Sequence, residues 1–176
     1  MRFSGMTIAL EQKARSGVTG QEGVVANPPN HIIFSMANSA HTRRWTARRL
    51  APGGPQGLRL LVVDDYRPGA EAITASLIIA GYEAMYMPDG PSALNMIGAW
   101  GPDIAVLDIN MPLMDGYALA RHFRQNTATE HTVLIAFTAL DELVARPAGV
   151  ASGFDAYCQK GGAPDRLLRL LEKFRE

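Results

Sequence analysis

The sequence predicts an α/β domain over residues 58–176, with a doubly wound, five-stranded parallel sheet and helices on both faces. Two observations predict this class. Short apolar runs alternate with longer segments whose apolar residues recur at helical spacing, and the alternation occurs five times. Strands joined through helices run parallel, and right-handed crossovers distribute the helices over both sides of the sheet.

The first strand and helix of this domain set the pattern. Residues 58–63 form an apolar run that ends abruptly at Asp64 and Asp65, which is typical of a buried strand with a polar tip. Residues 70–80 carry apolar side chains at helical spacing, and Gly81 stands where a helix should end.

The same alternation continues along the chain. The predicted strands are residues 82–87, 104–107, 133–137 and 156–158, and the predicted helices are residues 92–100, 116–125, 141–152 and 164–174. The last helix is clearly amphipathic, with Leu167, Leu171 and Phe174 on one face.

Residues 1–57 differ in composition from the predicted domain. They carry seven basic and two acidic residues, a net charge of +5, whereas residues 58–176 carry ten and fifteen, a net charge of −5. Prolines, glycines and small polar residues dominate, and residues 52–55 resemble a flexible junction. We therefore expect residues 1–57 to be a basic, flexible extension.

One basic cluster in this extension has an alternative interpretation. Arg43, Arg44, Arg48 and Arg49 surround a single tryptophan and could bind an anionic partner, such as nucleic acid or membrane headgroups. A targeting peptide, or a stretch absent from the working protein, is a further alternative. Four arginines are too few for a DNA-binding motif, so we expect no direct contact with nucleic acid.

The compartment follows from two features of the whole chain. The single cysteine, Cys158, excludes an internal disulfide framework and fits a reducing environment. No apolar run approaches the roughly 20 residues of a membrane-spanning helix, and no secretory signal is evident. We expect a cytoplasmic protein without a membrane span.

Polar side chains follow four of the five predicted strands. Asp64 and Asp65 follow the first strand, Asp108 the third, Thr138 the fourth and Lys160 the fifth. Each residue alone is explained as a turn former, a helix cap or a solvated lysine. Because ligands bind at the carboxyl ends of parallel strands, the five together indicate one site at that edge.

The charges of this site indicate its chemistry. Two carboxylates about 4 Å apart repel by about 4 kcal/mol at an effective dielectric constant near 20, so a cluster of three should either shift its protonation or hold a cation. Oxygen ligands without nearby histidine or cysteine select a hard ion such as Mg²⁺. A carboxylate can also attack phosphorus to form an aspartyl phosphate, with Mg²⁺ and Lys160 neutralising the transferring oxygens.

Residues 58–176 resemble the receiver domain of bacterial response regulators, which has a flavodoxin-like fold. The landmarks, in chain order, are Leu-Val-Val-Asp-Asp at 61–65, Asp-Ile-Asn-Met-Pro-Leu-Met-Asp-Gly at 108–116, Thr-Ala at 138–139 and Gly-Phe-Asp-Ala-Tyr-Cys-Gln-Lys at 153–160. The second landmark is the most specific, because it contains the expected order of phosphoacceptor, loop and helix start.

The resemblance implies roles for the metal and the phosphoryl group. Asp108 would be the phosphoacceptor. Asp65 and Asp108 would contact Mg²⁺ directly, Asp64 through water, and the backbone carbonyl of Asn110 would complete the protein ligands. Lys160 would pair with a phosphoryl oxygen.

The resemblance also implies a switch. Thr138 would hydrogen-bond another phosphoryl oxygen, and Tyr157 matches the aromatic residue that turns inward in many relatives when the threonine moves. One position departs from the family pattern, because Gly161 replaces the proline that usually follows the lysine. The departure makes the placement of Lys160 less certain than that of Asp108, and we expect a trans or more mobile loop there.

The partners implied by the resemblance are proteins. A histidine kinase or a histidine phosphotransfer protein would donate the phosphoryl group. A downstream partner would bind the face made by residues 141–152, 156–158 and 164–174, and a homodimer is a further option. The sequence leaves open whether the receiver acts alone or belongs to a hybrid kinase.

Two rival functions stay open at this point. A magnesium-dependent phosphatase would also use an aspartyl phosphate, but such enzymes usually carry a second aspartate where Asn110 stands. A receiver-like interaction module that is never phosphorylated is the other rival, and Gly161 keeps it in consideration. The complete acidic set favours the phosphorylated switch, which is a signalling module and not an enzyme in the ordinary sense.

Overall fold

The computed structural model describes residues 41–50 and 55–176 of the chain. In these ranges the strands are β1 Thr42–Arg44, β2 Arg59–Val63, β3 Glu83–Met87, β4 Ile104–Leu107, β5 Val133–Thr138 and β6 Ala156–Gln159. The helices are α1 Arg67–Ile79, α2 Gly90–Trp100, α3 Gly116–Gln125, α4 Glu142–Ser152 and α5 Asp165–Glu172. The predicted alternation of strands and helices is confirmed, with shifts of at most three residues at the ends.

One sheet contains all six strands, in the order β1-β6-β5-β4-β2-β3. The five strands from β2 to β6 pair in parallel, as predicted. The fold is therefore the expected doubly wound α/β architecture.

The predicted strand count needs a correction, because β1 adds a sixth, antiparallel strand at the outer edge of β6. Thr42–Arg44 form this strand within a segment that was expected to be flexible. A strand of three residues is too short to show a hydrophobic period in the sequence. It forms because it pairs with β6. Residues 1–40 and 51–54 of this extension lie outside the described residues, and the domain boundary at residue 58 stays a prediction.

Two apolar layers enclose the sheet. Helices α1 and α5 cover one face, where Leu77 and Leu171 pack against Leu60 and other strand residues. Helices α2, α3 and α4 cover the other face, where Phe123 packs in a second layer with Leu61. Neighbouring strand residues alternate between the layers, so both faces are buried and the polar groups are left to the strand tips.

Side chains cap two of the helices near these tips. The carboxylate of Asp89 accepts a hydrogen bond from the Ser92 N–H at 2.7 Å at the start of α2, and this bond lowers the pKa of Asp89. Asp115 accepts one from the Ala118 N–H at 2.7 Å at the start of α3. These caps determine where α2 and α3 begin, after the loops at the carboxyl ends of the strands.

The described part of the chain contains no helix that is both long and apolar enough to cross a lipid bilayer.

Candidate functional site

The carboxyl ends of the parallel strands meet at one edge of the sheet. Asp64 and Asp65 follow β2, Asp108 follows β4, Thr138 is the last residue of β5, and Lys160 follows β6. These strands are neighbours in the sheet, in the order β6, β5, β4 and β2. The topology thus places all five residues at the same edge, as the sequence predicted.

Three carboxylates form a cluster at this edge. One oxygen from each of Asp64, Asp65 and Asp108 lies within 4.8 Å of those of the other two. Asp64 and Asp108 are buried, with 3% and 6% of their surface exposed, whereas Asp65 is exposed. The cluster therefore has two buried carboxylates and one that faces solvent.

Lys160 contacts the two buried carboxylates of this cluster. Its ammonium nitrogen donates to a carboxylate oxygen of Asp108 at 2.7 Å and lies 2.7 Å from an oxygen of Asp64. The backbone N–H of Lys160 also donates to the carbonyl of Thr138 at 2.8 Å, which ties the loop after β6 to the tip of β5. One cation therefore bridges the two buried anions.

Burial and charge oppose each other at these groups. Burial raises the pKa of Asp108, although Lys160 and the Asn110 N–H pull the same pKa downward. Burial alone would lower the pKa of Lys160, but its bonds to Asp108 and Asp64 outweigh burial and raise it. The ammonium is therefore held in its charged form beside a carboxylate that is short of solvation.

The donor set fits a hard divalent cation. Asp64, Asp65 and Asp108 offer oxygen ligands only, and a single ammonium does not balance three carboxylates. Asn110 lies beside the cluster, where its backbone N–H donates to Asp108 at 3.3 Å. The residues present therefore suit Mg²⁺, which keeps several waters and needs few protein ligands.

The two predicted switch residues lie on neighbouring strands, Thr138 at the end of β5 and Tyr157 within β6. Thr138 is buried, and its hydroxyl oxygen accepts from the Leu140 N–H at 3.3 Å. Tyr157 is also buried, and its hydroxyl donates to the Leu140 carbonyl at 2.6 Å. Burial raises the pKa of Tyr157 to about 12, so the phenol stays a hydrogen-bond donor. Leu140 therefore links both residues.

Glycine at position 161 suits the backbone that follows the lysine. Gly161 has a φ of +88°, a region that the fixed φ of proline excludes. All peptide bonds of the described residues are trans, which agrees with the expectation for this loop. Lys160 still contacts both carboxylates, so the departure from the family pattern leaves the lysine in place.

Two structural features of the site were not predicted from the sequence. A β-carbon at Gly116 would overlap the carbonyl oxygen of Asp108, so only glycine allows α3 to begin so close to the acidic cluster. The place of Gly116 at the end of the 108–116 landmark was the available signal. A cavity of about 410 Å³ also opens beside the site between Tyr66, Ile73 and Pro164, residues that share no sequence pattern.

Comparisons with known proteins agree with this geometry. Residues 60–172 match the family described as the response regulator receiver domain. The response regulator MprA of Mycobacterium avium is 40% identical over 111 residues, which are 63% of this chain and 48% of that protein. The chain thus spans about half the length of the curated relatives it matches.

Solved structures show the same fold. The chemotaxis response regulator CheY4 of Vibrio cholerae superposes with a TM-score of 0.64 at 26% identity, over 66% of this chain and 98% of that one. The receiver domain of the Francisella response regulator 1452 has a TM-score of 0.61 at 28% identity, over 68% and 97% of the two chains. In both cases almost the whole neighbour is matched.

Proposed function

Because the chain belongs to the response regulator receiver domain family, we propose that it is a phosphorylation switch in which Asp108 accepts a phosphoryl group. The observation that carries this proposal is the position of Asp108. It is buried at the tip of β4, within reach of two further carboxylates and 2.7 Å from the ammonium of Lys160. A carboxylate in such surroundings has both a cation site and a positive partner for phosphoryl oxygens.

The transfer needs little covalent chemistry from the protein. A carboxylate oxygen of Asp108 attacks the phosphorus of a phosphorylated histidine on the donor protein. The P–O bond forms as the P–N bond breaks, and the electron pair of that bond leaves with the imidazole. Asp65, Asp108 and the Asn110 carbonyl, with Asp64 through water, would hold Mg²⁺, which would supply positive charge for the phosphoryl oxygens.

Lys160 and Thr138 stabilise the product. Lys160 already contacts Asp108 and would keep its ammonium on a phosphoryl oxygen once the acyl phosphate forms. The Thr138 hydroxyl would donate to a second oxygen. The added charge, roughly −1.5 to −2 at neutral pH, gives both side chains a stronger partner than the carboxylate alone.

Movement of Thr138 would carry the signal to the surface. The Leu140 N–H bonds to Thr138 and the Leu140 carbonyl accepts from Tyr157, so a shift of the threonine changes the surroundings of the tyrosine. The face made by α4, β6 and α5 would then change its affinity for a downstream protein partner. The donor would be a histidine kinase or a histidine phosphotransfer protein.

The remaining expectations about partners and location stay predictions. They are a cytoplasmic location, no direct contact with nucleic acid, and a homodimer as a further option. The activity and partners of a whole protein that contains this receiver also stay predictions.

The test is phosphorylation by a small donor that needs no partner protein. The full chain is incubated with acetyl phosphate and Mg²⁺, and the intact mass is recorded. We expect one phosphoryl adduct on the native chain and none on Asp108→Asn, because the amide oxygen is a poor nucleophile.

Asp103→Asn is the matched control. Asp103 precedes the same strand that Asp108 follows, and it accepts from the Arg59 N–H at 2.8 Å at the opposite edge of the sheet. This variant should be phosphorylated like the native chain. An adduct that persists in Asp108→Asn, or that never forms on the native chain, would refute the proposed phosphoacceptor. Hydrolysis of unrelated phosphomonoesters would favour the phosphatase alternative.

A further inference from the structure

The outer edge of β6 is covered by a segment of the same chain. Residues 41–48 are here called the N-terminal strap, and their strand β1 pairs antiparallel with β6. The Gln159 N–H donates to the His41 carbonyl at 2.8 Å, and the Trp45 N–H donates to the Asp155 carbonyl at 2.7 Å. The strap thereby takes up hydrogen-bonding groups that an edge strand would otherwise offer to another chain.

Trp45 anchors the strap against α4. Its indole stacks on the ring of Tyr157, with centroids 6.0 Å apart and planes inclined by 18°. Its N–H donates to the Glu142 carboxylate at 3.0 Å. The ring lies so close to Gly149 that a β-carbon there would overlap it. Trp45 therefore fills the space between β6 and α4.

Arginines anchor the strap on its other sides. The Arg44 guanidinium donates to the Lys173 carbonyl at 2.6 Å and lies 4.7 Å from the centroid of the Phe174 ring, just beyond α5. Arg48 donates to the buried carboxylate of Asp155 at 3.0 Å. The strap thus spans α4, β6 and the end of α5, which is the face assigned above to a downstream partner.

The surface that holds the strap is here called the seat. On the side of α4, the seat includes the loop that directly follows Thr138. Tyr157, on which the Trp45 ring stacks, donates to the Leu140 carbonyl at 2.6 Å. Gln159 donates to Asp141 at 3.1 Å and is hydrogen-bonded to His41 of the strap at 2.6 Å. Together with Glu142, these contacts make three consecutive loop and helix residues part of the seat.

We propose that the N-terminal strap closes the α4–β6–α5 face while Asp108 is unphosphorylated, and that phosphorylation releases it. The seat is complementary to the strap in the present loop conformation, in which the Leu140 N–H donates to the Thr138 hydroxyl oxygen. Movement of Thr138 toward a phosphoryl group displaces Leu140 and the residues after it. The seat is then no longer complementary to the strap. The strap is then an internal competitor for the partner face. This inference rests on the proposed phosphorylation of Asp108.

Tryptophan fluorescence in the full chain tests the release. The chain has two tryptophans, so Trp100→Phe leaves Trp45 as the sole reporter. With acetyl phosphate and Mg²⁺, we expect Trp45 emission to shift to longer wavelength and its quenching by acrylamide to increase. Intact mass is measured on the same sample. Adding Asp108→Asn to this reporter should abolish both the adduct and the shift.

Reciprocity gives a second measurement. If phosphorylation weakens the strap, weakening the strap must favour the phosphoryl state by the same factor. Trp45→Ala should therefore bind beryllofluoride, a phosphoryl analogue, about fivefold more tightly than the native chain in calorimetric titration with Mg²⁺. Trp100→Ala removes an indole of equal size outside the strap and should bind it like the native chain.

The outcomes separate the two proposals. A phosphoryl adduct on Asp108 with unchanged or better shielded Trp45 emission would overturn the strap mechanism and leave the proposed function intact. Equal beryllofluoride affinity in Trp45→Ala and the native chain would also overturn it. Absence of both the adduct and the shift would overturn both proposals.

Discussion

Lys160 is the residue on which the electrostatics of the unphosphorylated site depend. Its ammonium lies 2.7 Å from a carboxylate oxygen of both Asp64 and Asp108, and both aspartates are buried. The lysine therefore pairs with both buried carboxylates, and one of them is the carboxylate that we propose is phosphorylated. From the sequence we expected Lys160 to pair with phosphoryl oxygens, which stays a prediction, whereas its double contact with the aspartates depends on the folded loops.

Replacing this lysine should destabilise the metal-free protein. In Lys160→Met, two buried carboxylates lose their cation, and we expect the free energy of unfolding to fall by about 3 kcal/mol, at the low end for breaking a buried pair. Added Mg²⁺ should recover more stability in the variant than in the native chain. Urea unfolding with and without Mg²⁺ measures both effects.

Lys173→Met is the control for this substitution, because Lys173 is exposed near the end of the chain. Its free energy of unfolding should change by no more than about 0.5 kcal/mol. Equal stability of the two lysine variants would contradict the bridging role of Lys160.

Cys158 should resist thiol reagents until the chain unfolds. Burial raises the pKa of its thiol to about 12, from an ordinary value of 9.0, so very little reactive thiolate exists at pH 8. Stability linked to this thiol is complete below about pH 9 and falls as the pH rises toward 12, because only the unfolded chain then releases the proton. Labelling at pH 8 with and without urea, followed by mass, checks the prediction; fast labelling of the native chain would contradict it.

The loop between β4 and α3 shows at the scale of elements how the backbone shapes the site. Helix α3 begins at Gly116, directly against the carbonyl of Asp108, and Asp115 caps its first turn. The sequence predicted the bounds of this helix correctly, because its apolar period and its cap are local signals. The closeness of helix and strand tip is a tertiary contact and has no local signal besides the glycine itself.

Two glycine substitutions should have opposite effects. Gly116→Ala puts a methyl group where backbone already lies, so we expect a loss of more than about 2 kcal/mol and slower phosphorylation of Asp108. Gly98→Ala lies on the exposed side of α2 with open space around it and should gain about 0.5–1 kcal/mol. Thermal unfolding measures the pair. Equal effects would show that α3 can shift at little cost.

The whole molecule combines an acidic domain with a basic N-terminal part. The sequence indicated this division and left a role in binding anionic partners open for the arginine cluster. In the fold, Arg43 lies 3.5 Å from Glu142 and Arg48 lies 3.0 Å from Asp155. Two of the four arginines thus pair with carboxylates of the same chain, which leaves less of the cluster for an external anion.

Magnesium should stabilise the whole domain through the acidic cluster. Above its dissociation constant, each tenfold increase in Mg²⁺ should add about 1.4 kcal/mol to the free energy of unfolding. Asp65→Asn should lose most of this gain, whereas Asp165→Asn, at an exposed position on α5, should keep it. Calorimetry at constant ionic strength measures the effect. Equal stabilisation of both variants would place the ion elsewhere.

The sequence alone determined the fold class, the order of the strands and helices from β2 onward, and the residues at the strand tips. These features depend on local apolar periods and on the rule that parallel strands share one polar edge. The tertiary structure decided what has no local signal: that Lys160 bridges two aspartates, that Leu140 joins Thr138 to Tyr157, and that Thr42–Arg44 forms a strand. The physical reason is that each of these arrangements joins residues that are distant in the chain. The local sequence around each residue does not indicate which residue it will contact.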